Sequence, residues 1–131
     1  MIATLNVREM SETLAAGADG EAGQPIPILV VSGRLDASTV SVLERALLRA
    51  FVGDVKVVII DMGEVIYISS SGLRVLLSSR RQARERGGDI ILCNLSASVR
   101  DVFDMVGFTV LFKIKENLEH AKKEAQELTR S

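Results

Sequence analysis

The stretch Val55-Lys-Val-Val-Ile-Ile-Asp-Met-Gly-Glu-Val-Ile-Tyr-Ile-Ser-Ser-Ser-Gly-Leu73 decides how this chain folds. Its opening, Val55 to Ile60, is a nearly unbroken β-branched run, the pattern of a strand covered on both faces. Leu73, Leu76, Leu77 and Ala83 then recur at helical spacing. Between them, Asp61 to Ile68 reads as a short connection that delivers three serines and a glycine to the start of the helix. Backbone N–H groups in the first turn of a helix lack intrahelical acceptors and carry the positive end of the dipole. A side-chain oxygen or a phosphate is stabilised there, so Ser69, Ser70 and Ser71 are the first candidates for function.

Outward from this centre the chain alternates strands and helices. Upstream, Ile2 to Val7 reads as a first strand. Ser11 to Gln24, rich in Ala, Gly and small polar residues, reads as a flexible loop within a single domain spanning 1–131. Ile28 to Val31 forms a second strand, and Gly33 and Asp36 mark a turn. Val40, Leu43, Leu47 and Phe51 form a helical stripe ending at Gly53, with Asp36 or Ser38 as its cap. Downstream, Gly87-Gly88 stops the serine-led helix, and Asp89 to Asn94 makes another strand. Val99, Val102, Phe103 and Val106 share one helical face, with Ser96 or Ser98 as cap. Phe108 to Ile114 returns to a strand pattern, and 115–131 closes the chain with an amphipathic helix carrying Leu118, Ala121, Ala125 and Leu128 on its apolar side. The fold class is α/β: a mixed, mostly parallel sheet flanked by helices, with the first two strands antiparallel.

Composition narrows the function classes. Sixteen basic residues against seventeen acidic ones leave a net charge of −1, which argues against a surface built to neutralise nucleic-acid phosphates. The beginning of the chain has no signal-peptide pattern and no apolar run approaches membrane-spanning length, so the expectation is a cytoplasmic protein without a membrane partner. Cys93 sits in the apolar run Ile90-Ile-Leu-Cys-Asn94 and reads as a core thiol. His120 is the sole histidine; it has no Cys/His cluster around it for a metal and lies far along the chain from the serines. No Gly-x-Ser-x-Gly elbow and no phosphate-cradling ATPase loop is present. The reading is a non-enzyme that needs neither cofactor nor metal. Arg80-Arg-Gln-Ala-Arg-Glu-Arg86 reads as a solvated helix face, and Phe103-Asp-Met-Val-Gly-Phe108 as core packing.

Three segments in order, Gly33-Arg-Leu-Asp36, Ile68-Ser-Ser-Ser-Gly-Leu-Arg-Val-Leu76 and Val102-Phe-Asp-Met-Val-Gly-Phe108, resemble the STAS-domain family of bacterial anti-sigma-factor antagonists. The resemblance covers about Ile28 to Leu128, with Asp61 at the end of its strand. It implies an antagonist that works by partner switching: the unphosphorylated form binds an anti-sigma serine kinase and releases the sigma factor, and phosphorylation blocks that binding. A serine phosphatase would reset it. Matched residue by residue, the phosphoacceptor falls on Ser70, the following hydroxyl on Ser71 and the motif glycine on Gly72. Ser69 replaces the aspartate usual in the family, which removes a negative charge beside the acceptor. The partner-binding surface implied by the match comprises Gly33, Asp36, Ser38 and Thr39 on the neighbouring turn with Ile66, Tyr67 and Ile68 before the serines. The competing reading is a STAS adaptor in a stress-sensing or transport assembly, in which the Ser70 hydroxyl only caps a helix. Direct nucleotide binding would rest on the helix-start serines alone. A monomer is the default state.

Overall fold

The structure is a computed structural model that describes residues 4–13 and 25–129. Five strands and four helices follow one another as β1 (Leu5–Thr13), β2 (Pro25–Leu35), α1 (Val40–Ala50), β3 (Val57–Ile68), α2 (Ser70–Glu85), β4 (Asp89–Cys93), α3 (Ala97–Met105), β5 (Lys113–Lys115) and α4 (Leu118–Thr129). The strands lie in one sheet in the order β1-β2-β3-β4-β5. β1 pairs antiparallel with β2, and the remaining pairs are parallel. This is the mixed, mostly parallel α/β sheet that the alternation of periods predicts.

The continuous apolar runs in the central strands have a direct cause. Successive side chains of a strand point to opposite faces, and here both faces are covered. Leu29, Val31, Val58, Ile60, Ile90 and Leu92 pack with Leu43 and Leu47 of α1, Leu73 and Leu76 of α2, and Phe103 of α3. Ile28, Val30, Ile59, Ile91 and Cys93 form a second cluster with Ala121 and Ala125 of α4. The small alanines let α4 lie close on the sheet.

Besides β2, which runs over Pro25–Leu35 rather than Ile28 to Val31, four boundaries differ from the sequence reading, each for a physical reason. β1 runs to Thr13, so residues 11–13 belong to a strand that pairs with 25–27 rather than to a loop; the rest of the 11–24 segment and the chain's first three residues lie outside the described residues. β3 does not end at Asp61 but continues to Ile68, paired with β2 after β4 has stopped at Cys93. Register shifts between Val30 and Ser32 and between Gly33 and Arg34 break the two-residue period. The buried positions in this half of β3, Met62, Val65 and Ile68, are therefore three apart. Phe108 and Phe112 leave the sheet plane to stack around Phe103, with ring centroids 5.7 and 6.1 Å from it; only Lys113–Lys115 remain as β5. The closing helix begins at Leu118, not at 115, because Lys115 is the last residue of that strand.

Gly33 is not in a turn but inside β2, at the second register shift, with φ +110°. A Cβ there would sit 2.3 Å from the Thr4 carbonyl oxygen, so β1 and β2 close against each other only over a glycine.

Candidate functional site

Because β2 and β3 are parallel and end together at the Leu35–Ile68 pair, the two segments that follow emerge side by side at the carboxyl edge of the sheet. One is the turn from Asp36 to Thr39 that leads into α1; the other is the serine run that opens α2. The Ser69 N–H donates to the Leu35 carbonyl at 2.9 Å and ties the two together. This edge is where open parallel sheets generally present their sites.

The three serines are not equivalent. Ser69 is the N-cap of α2, with extended backbone, and its Oγ accepts the Gly72 N–H at 3.4 Å. Ser71 is half-buried and Gly72 fully buried. A Cβ on Gly72 would meet Leu35 Cγ at 2.8 Å and Ile68 Cγ1 at 2.9 Å, so the absence of a side chain lets the first turn of α2 rest on the strand ends. Ser70 alone is exposed, as the first residue of the helix. The cap therefore belongs to Ser69, and Ser70 is left exposed.

The neighbouring turn is closed by Asp36. Its Oδ1 accepts the Ser38 hydroxyl at 2.7 Å and the Ser38 N–H at 3.0 Å. The Ser38 hydroxyl, first of all, holds the Asp36 carboxyl below its usual range. Neither Asp36 nor Ser38 caps α1 through its side chain: the N-cap position is Thr39, which makes no side-chain cap bond. Thr39 is 4% exposed. Its hydroxyl donates to the Arg34 carbonyl at 2.7 Å and accepts the Asp36 N–H at 3.0 Å. Thr39 thus shapes the turn and is not available for contact.

On the strand side, Ile66 is 69% exposed and Tyr67 42% exposed, while Ile68 is only 5% exposed. Ile68 supports Gly72 from below and does not belong to the surface. Arg34, the cross-strand partner of Tyr67, holds its guanidinium 4.2 Å from the Tyr67 ring centroid, with Nε 3.8 Å from Asp36 Oδ2. This arginine lies inside Gly33-Arg-Leu-Asp36, yet only the strand pairing reveals its contact with Tyr67. The surface at this edge therefore mixes apolar and polar groups: Ile66, Tyr67, Arg34 and Ser38 are exposed, and Asp36 is half-buried.

Elsewhere the sequence reading needs one further correction. The arginine run is not merely solvated: Arg80 and Arg84 face the buried Asp89 at 4.0 and 3.2 Å. Arg86 donates to the Phe51 and Gly53 carbonyls at 2.8 and 2.9 Å. The signal was Asp89 itself, an acid opening an otherwise apolar strand. Cys93 is buried, as predicted, and desolvation pushes its thiol up to about 12, which leaves it inert as a nucleophile. His120 is exposed on α4, across the sheet from α2. Among the described residues there is no cluster of ligands for a metal ion, and no helix is long and apolar enough to cross a membrane.

Known proteins share both this sequence pattern and this architecture. The STAS domain family matches residues 20–121. BtrV of Bordetella bronchiseptica, whose name places it among anti-sigma factor antagonists, is 34% identical over 94 residues, 72% of this chain and 81% of BtrV. An anti-sigma factor antagonist from Mycobacterium paratuberculosis superposes with a TM-score of 0.73 at 18% identity, covering 92% of this chain and 95% of that one. The anti-sigma factor antagonist SpoIIAA in its unphosphorylated form gives 0.65 at 21% identity over 92% and 97%. With the family matched over most of its length and a relative above 30% identity, the chain belongs to the STAS-domain family.

Proposed function

We propose that this protein is an anti-sigma-factor antagonist that switches partners through Ser70. The single observation that supports this most is the division of labour among the serines: Ser69 caps the helix, leaving Ser70 exposed at the sheet edge beside Ile66 and Tyr67. In the unmodified state this surface binds an anti-sigma serine kinase in the cytoplasm, and the sigma factor is released. The kinase then transfers the γ-phosphoryl group of ATP to Ser70. The Ser70 Oγ–P bond forms, the bond to the β,γ-bridging oxygen breaks, ADP leaves and the hydroxyl proton is released. A serine phosphatase reverses the modification by hydrolysis. The chain itself is substrate and binding partner, not enzyme.

The physics of the switch needs no refolding. A phosphate brings about 1.5 to 2 negative charges and three strong acceptor oxygens. Placed in an apolar contact, it opposes association by desolvation and by repulsion of any nearby acid. A loss of about 1.4 kcal/mol weakens binding tenfold. Ser69 retains the capping oxygen that an aspartate would supply but carries no charge, so the acceptor is not flanked by an anion. Intact-mass analysis with site mapping, after incubation with ATP and the anti-sigma kinases of the same cell, tests the reading. One phosphate on Ser70, absent in Ser70→Ala, is expected. Stable binding to one of them without modification, unaffected by Ser70→Glu, would make the protein an adaptor instead.

A further inference from the structure

The surface that would receive the phosphate holds a cation whose role no observation above explains. Arg74 lies four residues after Ser70 on α2, so the two side chains are neighbours on one face of the helix, and both are exposed. Helical Cα–Cβ bonds tilt toward the amino end, which leans Arg74 back over the turn that begins with Ser70. An anion followed by a cation at this spacing is the favourable order. The first turn of α2 contains no acidic residue. Among the described residues no carboxylate is paired with Arg74. Arg74 also borders a groove of about 490 Å³ between α1 and α2, along with Glu44, Leu48, Val75 and Ser78, and it forms no ion pair with Glu44 there.

The other arginines of this helix are occupied or distant. Arg80 and Arg84 face Asp89, and Arg86 is held by two carbonyls. Arg81 is exposed but lies far along the helix from Ser70. Arg34, on the neighbouring strand, is engaged by Asp36 and Tyr67, so among the described residues Arg74 is a nearby cation that costs no existing pair to recruit.

We infer that Arg74 is the internal counter-ion of Ser70 in its phosphorylated state. This rests on the reading of Ser70 as phosphoacceptor and deepens it. Modification then alters the contact surface twice: it adds a dianion at Ser70, and it withdraws from the partner the cation one helical turn behind. In the unmodified protein Arg74 stays free to meet an acidic group on the partner.

The test is a phosphorus-31 NMR pH titration of the full chain with phosphoserine installed at position 70 during translation, so that no kinase is needed. Four proteins are compared: the parent and its Arg74→Ala, Arg74→Lys and Arg81→Ala variants, all with circular dichroism as a check of folding. Arg74→Ala is expected to raise the second phosphate pKa by about 0.3 pH unit, the size typical of an exposed pair one turn apart. Arg74→Lys restores most of that, and Arg81→Ala leaves the value unchanged. Equal values in parent and Arg74→Ala, or equal shifts in the Arg74→Ala and Arg81→Ala variants, would overturn the inference. The two ideas fail separately: a flat titration removes Arg74 while leaving Ser70 as acceptor, whereas absence of kinase modification removes the acceptor reading and leaves the titration valid.

Discussion

The two ends of α2 carry the same kinds of residue and use them in opposite ways. At the carboxyl end, arginines are spent on structure: Arg80 and Arg84 converge on Asp89, 2% exposed, and Arg86 holds the Phe51–Gly53 carbonyls. At the amino end the polar groups beyond the cap are left uncommitted, with Ser70 and Arg74 both exposed. The difference teaches how a domain can take a large charge without changing shape. One end of the helix is fastened to the sheet, and the other presents side chains whose electrostatics can be rewritten at low structural cost.

The sharpest way to break this contrast is to cut the fastening. Asp89→Ala leaves Arg80, whose side chain is 19% exposed, without its carboxylate. Removing one partner of a buried pair costs more than the pair was worth, because the remaining charge stays desolvated. A loss of about 3 kcal/mol in unfolding free energy is expected by urea denaturation. Arg84→Ala removes only the half-exposed partner and should cost less than about 1 kcal/mol. If the two variants lose equal stability, the helix is not fastened through Asp89.

A second test attacks the seat of the free end. Gly72→Val places methyl groups against Leu35 and Ile68, both buried. Overpacking of this kind costs about 1 to 3 kcal/mol, and the better helix propensity of valine over glycine is too small to offset it. The expected result is a lower denaturation midpoint and, because α2 must shift at its first turn, weaker partner binding. Retention of both would mean the first turn does not need its close approach to the strand ends.

The third test separates neighbours. Ser69→Ala removes the capping oxygen and should destabilise by about 1 kcal/mol. Ser70→Ala, at an exposed position, should stay within about 0.5 kcal/mol of the parent. Thermal denaturation of the pair checks this. Equal effects would mean that capping and exposure are not divided between the two serines.

How much of this was legible in the residues depended on whether a local pattern or a long-range contact decided it. The buried strands, the serine-led helix and the Gly87-Gly88 stop follow from periodicity and turn chemistry within a few residues. The second half of β3 did not, since Gly63 and Glu64 interrupt the run and its pairing with β2 passes through two register shifts. Likewise Phe108 to Ile114 has strand composition, but contacts with Phe103 hold most of it out of the sheet. At the candidate site, the residues chosen by type come together at the carboxyl edge of the sheet. They did not distinguish Tyr67 from Ile68, because surface and interior alternate there with a spacing of three rather than two. Thr39 was misplaced for a similar reason: its hydroxyl is consumed by Arg34 and Asp36, a bond between strand end and turn that appears only once both are folded.

The smallest expected effect compares the two aspartates directly. Asp89 is buried and its removal should be severe, whereas Asp36 sits on an open turn where water competes with the Ser38 bonds. The Ser38 hydroxyl and N–H keep the Asp36 carboxyl below its ordinary 3.8 in the folded protein. A group depressed on folding stabilises the protein above its unfolded pKa and loses that contribution as pH falls through the lower, folded value. Asp36→Asn abolishes this titration. The parent should therefore lose slightly more thermal stability than Asp36→Asn as pH falls from about 5 to below 3, and the two should run parallel from 5 to 8. A parent curve that parallels the variant throughout would mean that the turn beside Ser70 is organised by its backbone alone. In that case, the bonds that the Thr39 and Val40 N–H groups donate to the Asp36 carbonyl, both 3.0 Å, would suffice to hold it.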